Sequence, residues 1–393
     1  MELIAIVTPL ILPVPVATGG AIEGLITEII KENEKKPTYY FHVYTLQNVQ
    51  NEQYNYQYTR IIPVRPGKFT IFLDKCLDKM FRILNVNYSF RMCDTCVSKI
   101  IAQLHYDSII VENMGSMYRK IRRKSNGSPI IFHMHNNIDM YRTINDLKKV
   151  NKDGNKVFVV SRYLQGEIRK RVPNLQCYVL YNGVDISKYR PYSQLEKDVI
   201  RKEMNIPKDM YVFAFFGRII PEKGVYELIK AFNHFKEYNK NCILLIIGKP
   251  QFEKNKQTLY SKLVFKAIDN NQDIKAEGFI MPSDVPKVYA CVDSVVIPSI
   301  WEEPFGMVAL EALCMGKPIV ASKCGGLVEI LNDSCACMVD CNERFVDNLF
   351  HGMMEIYDKS KMEVNSLSEG YLSKQHLFST YSYFERFCEL MVR

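Results

Sequence analysis

The sequence lacks several features that would place it in well-known classes of protein. It contains no uninterrupted apolar run of about 18 residues or more, which argues against a membrane-spanning helix. The GxGxxG spacing of a dinucleotide-binding loop is absent. No tract of low complexity and no short repeat occurs, so the chain has the pattern of an ordinary folded protein.

Length and composition predict a two-domain globular protein. The 393 residues are too many for one ordinary hydrophobic core, and 47% apolar and 24% charged residues are typical of soluble proteins. At the N-terminus, Glu2 stands where a signal peptide carries basic residues, and Pro9, Pro13 and Pro15 interrupt the apolar run. We therefore expect a buried first strand followed by a glycine loop, and a cytoplasmic protein.

Cysteine is present, but its spacing does not indicate a metal site. The twelve cysteines scatter through predicted strands and helices, as reduced thiols usually do. Cys93 and Cys96 form a lone CxxC pair without a second pair at zinc-finger spacing, and the other cluster is Cys335, Cys337 and Cys341. We predict no metal and no cofactor, and the role of Cys93 and Cys96 stays open.

Positive charge is concentrated in the first half of the chain. Residues 1–190 hold 27 Lys and Arg against 16 Asp and Glu, a net +11, whereas residues 191–393 hold 24 against 27, a net −3. The densest cluster is Arg119–Lys124, with five basic residues among six. Two interpretations stay open, a solvated loop or a surface for anionic lipid head groups or phosphate-bearing ligands. Nucleic acid is not indicated, because no recognisable binding module accompanies the cluster.

Short apolar runs alternate with helix-like segments along the whole chain. Examples are LIAIVT, SIIVEN and PIIFHMH in the first half, and YVFAFFG, CILLIIG and SVVIPS in the second. Continuous apolar strands predict parallel sheets covered by helices on both faces, hence the α/β class with two doubly wound domains. We expect a hinge within residues 181–197, and an irregular or mobile loop in the Asn-, Gln- and Tyr-rich residues 47–68. Ligands of such folds bind at the carboxyl ends of the strands.

Two carboxylates flank the start of a very apolar helix. Glu303 and Glu311 lie eight positions apart, and Pro304 and Gly306 mark the junction between loop and helix. Helix side chains lean towards the N-terminus, so Glu311 is expected to point back towards that end. Two carboxylates beside unpaired helix N–H groups predict a site for a hydroxylated ligand with negative charge. The alternative is a core helix whose glutamate meets a structural arginine.

Two other strand-end loops carry groups suited to an anion. Gly19 and Gly20 precede a helix, where the absence of side chains lets a ligand approach backbone N–H groups. Arg218 and Lys223 lie in FGRIIPEKG, at the end of one strand and the start of the next helix. A guanidinium fork and an ammonium both suit a diphosphate. Taken singly, each motif is also typical of a simple turn or an exposed loop.

Two histidines end another apolar run, in FHMHNN. His133 and His135 are two positions apart on a predicted strand, so they share a face and could ligate a metal. No carboxylate pattern in the sequence completes a ligand set. A histidine at a strand end is also often a satisfied structural residue.

Together these motifs resemble the retaining GT-B glycosyltransferases of family four, the group 1 class, over nearly the whole chain. Glu303-Pro-Phe-Gly and Glu311 match the family's E-x7-E element, with GKPIVAS and GGLVEI after it, and FGRIIPEKG matches its G-R-x4-K-G loop. YNGVD matches the turn before the interdomain linker. LPVPVATGGAI and IIVEN are similar to the spore-coat and capsular polysaccharide members. The resemblance implies two Rossmann-like domains facing across a cleft, residues 1–190 and 191–371, with a C-terminal helix in 372–393 returning to the first domain.

The resemblance implies roles for individual residues in binding a donor. Arg218 and Lys223 would hold the donor diphosphate and neutralise the leaving nucleotide. Glu311 would bind the ribose hydroxyls and Glu303 the donor sugar. Backbone groups at five further positions would face the donor's phosphate and sugar, the first two from the N-terminal domain: Gly19, Gly20, Phe305, Gly306 and Met307.

The resemblance also implies residues at the reacting centre and on the acceptor side. His135 occupies the position of the family's strand-end histidine beside the reacting carbon, and His133 is the alternative. The chain departs from the family at Glu112, where many members have histidine. Glu112 and Asn113 either contact the acceptor or simply end a strand.

The implied function is transfer of a hexosyl group from a nucleotide-diphosphate sugar, with UDP as the expected nucleotide, to a glycan or lipid-linked saccharide. The transfer would retain anomeric configuration, in biosynthesis of a capsule or another cell-envelope polysaccharide. Cationic groups and helix N-termini stabilise a departing diphosphate without a metal, and the absence of a DxD motif agrees with this. The implied location is cytoplasmic, with peripheral contact to the inner face of the membrane through Arg119–Lys124.

Two other functions fit the same fold. A nucleotide-sugar epimerase would act on the free donor, and the E-x7-E element argues against it. A non-catalytic scaffold in a polysaccharide assembly complex is disfavoured because Arg218, Lys223, Glu303 and Glu311 are all present.

Overall fold

The computed structural model describes eight ranges of the chain: 1–16, 19–48, 54–65, 67–83, 92–138, 143–250, 258–361 and 376–393. The chain forms two compact units, Met1–Gly183 with Thr380–Arg393, and Val184–Ser379. It passes from the first unit to the second within the segment 181–197, for which the sequence predicts a hinge.

The first unit is built on a parallel sheet. Its strands are β1 (Glu2–Val7), β2 (Tyr39–Leu46), β3 (Thr59–Val64), β4 (Ser108–Glu112), β5 (Ile130–Met134), β6 (Lys156–Val159) and β7 (Cys177–Val179). Its helices before the hinge are α1 (Ala21–Lys35), α2 (Lys68–Ile83), α3 (Met92–Ile101), α4 (Gly115–Ile121), α5 (Thr143–Lys152) and α6 (Arg162–Arg171). The strand order is β3-β2-β1-β4-β5-β6-β7, the doubly wound arrangement of Rossmann-like domains.

The second unit repeats this architecture. Its strands are β8 (Tyr211–Phe216), β9 (Cys242–Ile247), β10 (Ile274–Gly278), β11 (Ser294–Ile297), β12 (Ile319–Ser322) and β13 (Cys337–Val339). Its helices are α7 (Gln194–Glu203), α8 (Val225–Tyr238), α9 (Leu259–Asp269), α10 (Val285–Cys291), α11 (Met307–Cys314), α12 (Leu327–Ile330) and α13 (Phe345–Lys361), with 3-10 turns at Pro221–Lys223 and His376–Phe378. All pairings in the order β10-β9-β8-β11-β12-β13 are parallel.

Burial explains why the strands are continuously apolar. Every residue of β5, β9 and β11 is buried, because helices cover both faces of each sheet. The predicted α/β class with two doubly wound parallel sheets is confirmed.

The last helix, α14 (Thr380–Met391), belongs to the first unit and packs on α1. Thr380 Oγ1 donates to the buried Glu32 at 3.1 Å, and Lys36 pairs with Glu385 at 3.0 Å. Phe387 packs edge-on against Tyr39 of β2. The predicted return of the terminal helix to the first domain is therefore confirmed for 380–393, whereas residues 376–379 belong to the second unit and residues 372–375 lie outside the described ranges.

The prediction of an irregular loop over residues 47–68 is wrong for part of that segment. β3 pairs with β2 at the edge of the sheet, where Pro63 is tolerated since an edge strand has only one partner. The backbone N–H groups of Gln57 and Tyr58 donate to Glu34 of α1 at 2.7 and 3.0 Å, which fixes the entry into the strand. Residues 49–53 lie outside the described ranges.

Candidate functional site

An ion pair between a buried carboxylate and a partly exposed lysine lies beyond the carboxyl end of β11. The side chain of Glu303 is 5% exposed, and its Oε1 accepts hydrogen bonds from Lys223 Nζ at 2.5 Å, Ser299 Oγ at 2.5 Å and Trp301 Nε1 at 3.2 Å. Lys223 and Glu303, predicted from separate motifs, therefore meet at one point. The three donors all reach Oε1, which leaves Oε2 as the oxygen to which a ligand hydroxyl can donate.

Gly224 explains how Lys223 reaches this position. Gly224 has φ +62°, and a Cβ at that position would lie 1.9 Å from the carbonyl oxygen of Pro298. Ile300 N–H also donates to the carbonyl of Glu222 at 3.0 Å. The turn that carries Lys223 is thus pressed against the end of β11, and only glycine permits that approach.

Two adjacent glycines, Gly325 and Gly326, pack against the backbone of the loop that carries Glu303. Gly326 N–H donates to the carbonyl of Glu303 at 2.6 Å, and Gly325 N–H donates to the Glu302 carboxylate at 2.5 Å. A Cβ on Gly325, which has φ +49°, would lie 2.2 Å from that same Glu303 carbonyl, and one on Gly326 would meet the Pro304 carbonyl at 2.6 Å. The GGLVEI motif therefore holds the carboxylate loop in place.

Glu311 has partners different from those of Glu303. Tyr289 Oη donates to its Oε2 at 2.9 Å, and the Tyr189 hydroxyl also donates to it. Burial raises the pKa of Glu311 to about 7, although the two tyrosine hydrogen bonds oppose the shift. Its polar partners in the described chain are these tyrosines and not an arginine. The Tyr289 ring stacks on Phe216 of β8 at 3.8 Å, which ties this carboxylate to the sheet.

The N-terminus of α11 lies between these two carboxylates in the sequence. Gly306 is its N-cap residue with φ +111°, and no side chain among the described residues caps the helix. The first N–H groups, beginning at Met307, therefore lack a side-chain acceptor and can bind an anion. Phe305 is buried at 3% exposure and anchors the loop just before the helix.

Arg218 is the exposed cation at the end of β8. Its side chain makes no hydrogen bond or ion pair with any residue of the described ranges. Lys223, in contrast, is already paired with Glu303. Arg218 is therefore available to an external anion without breaking an internal contact.

A second cluster of titratable groups lies in the first unit, at the ends of β4 and β5. Glu112 Oε2 is 2.8 Å from His135 Nε2 and 3.1 Å from His133 Nδ1, and all three side chains are nearly fully buried. Burial would raise the pKa of Glu112, but charge and hydrogen bonds from His133 and His135 lower it to about 2. Burial, with the charge of His133, lowers the pKa of His135 to about 4. At neutral pH the carboxylate is ionised and His135 is neutral.

Glu112 supplies the carboxylate that no sequence pattern had connected with His133 and His135. Register pairs Glu112 directly with His133 across the two strands. The ligand atoms of Glu112, His133 and His135 lie within 4.8 Å of one another, so these residues could hold a metal ion. The signal lay in the ends of SIIVEN and PIIFHMH, but the sequence alone does not indicate that these two strands are neighbours.

Asn113 braces the same histidine segment. It has φ +55°, and its Oδ1 accepts a hydrogen bond from His135 N–H at 3.1 Å. Its own N–H donates to the carbonyl of His133 at 2.7 Å. The interpretation of Glu112, Asn113 and His133 as acceptor contacts stays a prediction.

The glycine loop after β1 lies against Glu23, a buried acid that was not predicted from the sequence. Gly19 and Gly20 have φ +97° and +108°, and a Cβ on Gly20 would lie 2.3 Å from Glu23 Oε2. Glu23 is 4% exposed, and burial, with a smaller contribution from the charge of Glu112, raises its pKa to about 7. An acid in the first turn of α1, directly after the glycine loop, was its sequence signal.

Intramolecular partners take up part of the basic cluster at Arg119–Lys124. Arg119 pairs with the buried Asp146 at 2.5 Å, and Arg122 pairs with Asp153. Contact of this cluster with a membrane stays a prediction. Among the described helices, none combines the length and apolarity needed to cross a bilayer.

The cysteines show no disulfide among the described residues. Cys96 and Cys341 are exposed free thiols, Cys337 is half-buried and Cys335 is buried. The side chain of Cys93 lies outside the described residues, so the role of the CxxC pair stays open.

Curated relatives match parts of this chain. The lipopolysaccharide 1,2-N-acetylglucosaminetransferase of Salmonella typhimurium is 31% identical over 57% of this chain and 57% of its own length. Spore coat protein SA of Bacillus subtilis is 26% identical over 61% of this chain and 66% of its own length. The matches therefore span less than two thirds of these relatives.

Solved structures match nearly the whole chain at low identity. Anabaena HepE in complex with UDP-glucose superposes with a TM-score of 0.76 at 19% identity, covering 100% of both chains. Sucrose-phosphate synthase from Thermosynechococcus elongatus gives a TM-score of 0.79 at 17% identity, covering 99% of this chain and 98% of the other. These likenesses show the GT-B fold.

Two family models match successive parts of the sequence. The model described as Glycosyltransferase Family 4 matches residues 78–188, and the model described as Glycosyl transferases group 1 matches residues 196–363. The second model covers Arg218, Lys223, Glu303 and Glu311, and the first covers the Glu112–His135 cluster. From these matches and the fold, the chain belongs to the group 1 glycosyltransferases of family 4.

Proposed function

We propose that this protein transfers a hexosyl group from a UDP-sugar to a saccharide or lipid-linked saccharide, with retention of anomeric configuration. The observation that carries the proposal is the ion pair of Lys223 with the buried Glu303, near the start of α11, where no described side chain caps the helix. A cation, a carboxylate and helix N–H groups together suit a phosphorylated sugar. The complex of HepE with UDP-glucose supports UDP as the nucleotide.

The proposed roles follow from the chemistry of each group and from the family to which the chain belongs. Arg218 binds the diphosphate through its guanidinium fork, and Lys223, with three N–H donors, bridges the diphosphate and Glu303. Glu303 Oε2 accepts from donor-sugar hydroxyls, and Glu311 accepts from the ribose. Gly19 and Gly20 bring backbone N–H groups towards the diphosphate.

In the proposed reaction, the bond between the anomeric carbon and the diphosphate oxygen breaks, and its electron pair leaves with the diphosphate. Arg218 and Lys223 stabilise the negative charge that develops there. The acceptor hydroxyl oxygen bonds to the anomeric carbon on the face that the nucleotide leaves, and its proton passes to the leaving phosphate. Stabilisation by these cations makes a metal unnecessary for that step.

The biological setting is proposed from the relatives. The names of the Salmonella and Bacillus proteins refer to lipopolysaccharide and to the spore coat. We therefore propose a role in cell-envelope polysaccharide biosynthesis, at the cytoplasmic face of the membrane.

The test is turnover of a panel of UDP-, GDP- and ADP-sugars with saccharide acceptors, with product anomers read by NMR. We expect transfer from one UDP-sugar, abolished in Glu303→Ala and Lys223→Ala while circular dichroism stays native. Lys262→Ala is the matched control, because Lys262 is an exposed lysine of α9 in the same unit. Conversion of the free donor to another sugar would favour an epimerase, and no binding or turnover of any donor would favour a scaffold.

A further inference from the structure

We infer that Glu112 is a positioning residue that fixes the orientation and tautomer of His135, so that Nδ1 of His135 stays unprotonated and can accept a hydrogen bond from a substrate hydroxyl. This inference rests on the function proposed above. It assigns Glu112 an internal role in place of a contact with the acceptor.

The first support is the hydrogen bond between the carboxylate and the ring. Glu112 Oε2 lies 2.8 Å from His135 Nε2, and the two side chains are 4% and 7% exposed. An ionised carboxylate can only accept, so Nε2 carries the proton. In the neutral imidazole, Nδ1 is then the bare nitrogen. No residue of the described ranges has a recorded hydrogen bond to Nδ1.

The second support is that the backbone of His135 is fixed independently. Asn113 Oδ1 accepts the His135 N–H at 3.1 Å, from a left-handed backbone conformation that asparagine tolerates. Ring and peptide are therefore held by consecutive residues of one strand end. Two anchors leave the ring little freedom to rotate.

His133 completes the arrangement from the other side. Its Nδ1 lies 3.1 Å from the same Glu112 oxygen, and the two imidazole centroids are 4.0 Å apart. Its Nε2 is buried and has no hydrogen-bond partner among the described residues. His133 thus holds the carboxylate in place, and His135 is the ring with its second nitrogen available.

The same three side chains could instead hold a divalent cation. A cation would replace the Nε2 proton of His135 and would abolish the hydrogen bond to Glu112. The two arrangements differ in metal content and in the NMR signals of the ring nitrogens, so one set of measurements separates them.

The decisive experiment is long-range ¹H–¹⁵N NMR on full-length protein labelled in histidine, with His135→Gln to assign the ring. We expect wild type to show the Nε2–H tautomer alone. Glu112→Gln should give a mixture of tautomers, because an amide can donate as well as accept. The control is Glu32→Gln, which alters a buried carboxylate of the same unit that pairs with Lys35 and Thr380.

Activity gives a second readout with the UDP-sugar that wild type turns over. We expect Glu112→Gln to lower kcat by on the order of tenfold or more, with KM for the donor nearly unchanged. An Nδ1–H or mixed ring in wild type, an undiminished kcat in folded Glu112→Gln, or one equivalent of zinc in purified protein would overturn the inference. Absence of turnover in wild type would instead overturn the proposed function, while the NMR result would still decide the tautomer.

Discussion

Lys223 Nζ and Ser299 Oγ donate to the same oxygen of Glu303, each at 2.5 Å. The ammonium is therefore held in position before a ligand arrives, so binding a phosphate costs little side-chain entropy. The Lys223–Glu303 ion pair serves both stability and ligand binding. A change at Lys223 therefore alters the stability of the fold and also the positive charge available to a diphosphate.

The first prediction concerns this pair. In Lys223→Ala, Glu303 stays buried without its cation, and we expect about 1–3 kcal/mol less stability in urea unfolding, because Lys223 itself is partly exposed. Turnover should fall by about a hundredfold or more, because the leaving diphosphate loses a stabilising charge. Lys262→Ala should change neither quantity. A Lys223→Ala protein of normal activity would refute the proposed role of Lys223.

The second prediction separates Arg218 from Lys223. Because Arg218 is exposed and pairs with no residue of the described ranges, Arg218→Ala should change stability without ligand by less than about 0.5 kcal/mol. The rise in Tm on adding UDP should nevertheless be largely lost. Arg344→Ala, an exposed arginine in the same unit, serves as the control for loss of one positive charge. Stabilisation of wild type by GDP or ADP but not by UDP would contradict the proposed nucleotide.

The third prediction is a pH dependence centred on Glu311. Its pKa in the folded protein is raised to about 7 from an ordinary value of 4.5, so the folded state retains the proton that the unfolded state loses. The contribution of protonated Glu311 to the stability of the folded state is fully present below pH 4.5 and is lost as pH rises through about 7. Glu311→Gln should therefore gain about 2–3 kcal/mol relative to wild type near pH 8. Equal pH dependence of unfolding in both proteins would rule this out.

The same titration predicts how nucleotide binding responds to pH. An ionised carboxylate is the better acceptor for ribose hydroxyls, so UDP affinity should fall by about tenfold from about pH 8 to about pH 6. Calorimetric titration measures this change in affinity. The pH dependence that remains in Glu311→Gln is the part that comes from titration of UDP itself. Glu23→Gln, which removes an acid of the first unit with a similarly raised pKa, should keep this pH dependence and serves as the control.

Residues close in sequence to a strand end or a helix start were predictable, and pairs formed between separate strands were not. The apolar runs predicted the sheets, and the E-x7-E spacing put Glu303 in a loop and Glu311 on the helix that follows it, because periodicity and motif spacing are local properties. The partnership of Glu112 with His135 depends on which strands are neighbours, and sequence spacing does not contain that information. The Arg119–Asp146 pair was missed for the same reason.

The raised pKa values of Glu23 and Glu311 could not be predicted from the sequence either, because they result from burial. Glu23 titrates abnormally because its carboxyl is buried, and Tyr189 and Tyr289 reach Glu311 from separate segments. A residue's pKa reflects everything packed around it, so no local pattern predicts it.

The fourth prediction tests the metal independence that we propose. Dialysis of the active enzyme against EDTA should leave turnover within about twofold, because Arg218 and Lys223 supply the positive charge at the leaving group. Turnover rates before and after dialysis, with metal content measured alongside, check this. Loss of activity that Mg²⁺, Mn²⁺ or Zn²⁺ restores would show that a metal takes part and would redirect attention to Glu112, His133 and His135.

The fifth prediction concerns the glycine beneath the carboxylate loop. Gly325 has φ +49°, and a methyl group there would lie 2.2 Å from the Glu303 carbonyl, so Gly325→Ala has to displace the loop. We expect a loss of about 1–3 kcal/mol in stability and a larger loss of donor turnover, because the Glu303 carboxylate moves with its backbone. Urea unfolding and donor kinetics measure the two effects separately.

The matched control is Gly166→Ala in α6. A Cβ on Gly166 meets nothing within 4 Å, so alanine there should stabilise the helix by about 0.5–1 kcal/mol and leave turnover unchanged. If Gly325→Ala instead behaves like Gly166→Ala in both measurements, the GGLVEI segment does not hold Glu303 in place. A fall in turnover without loss of stability would still fit the proposed role, since a small shift of the carboxylate is enough to misplace the donor sugar.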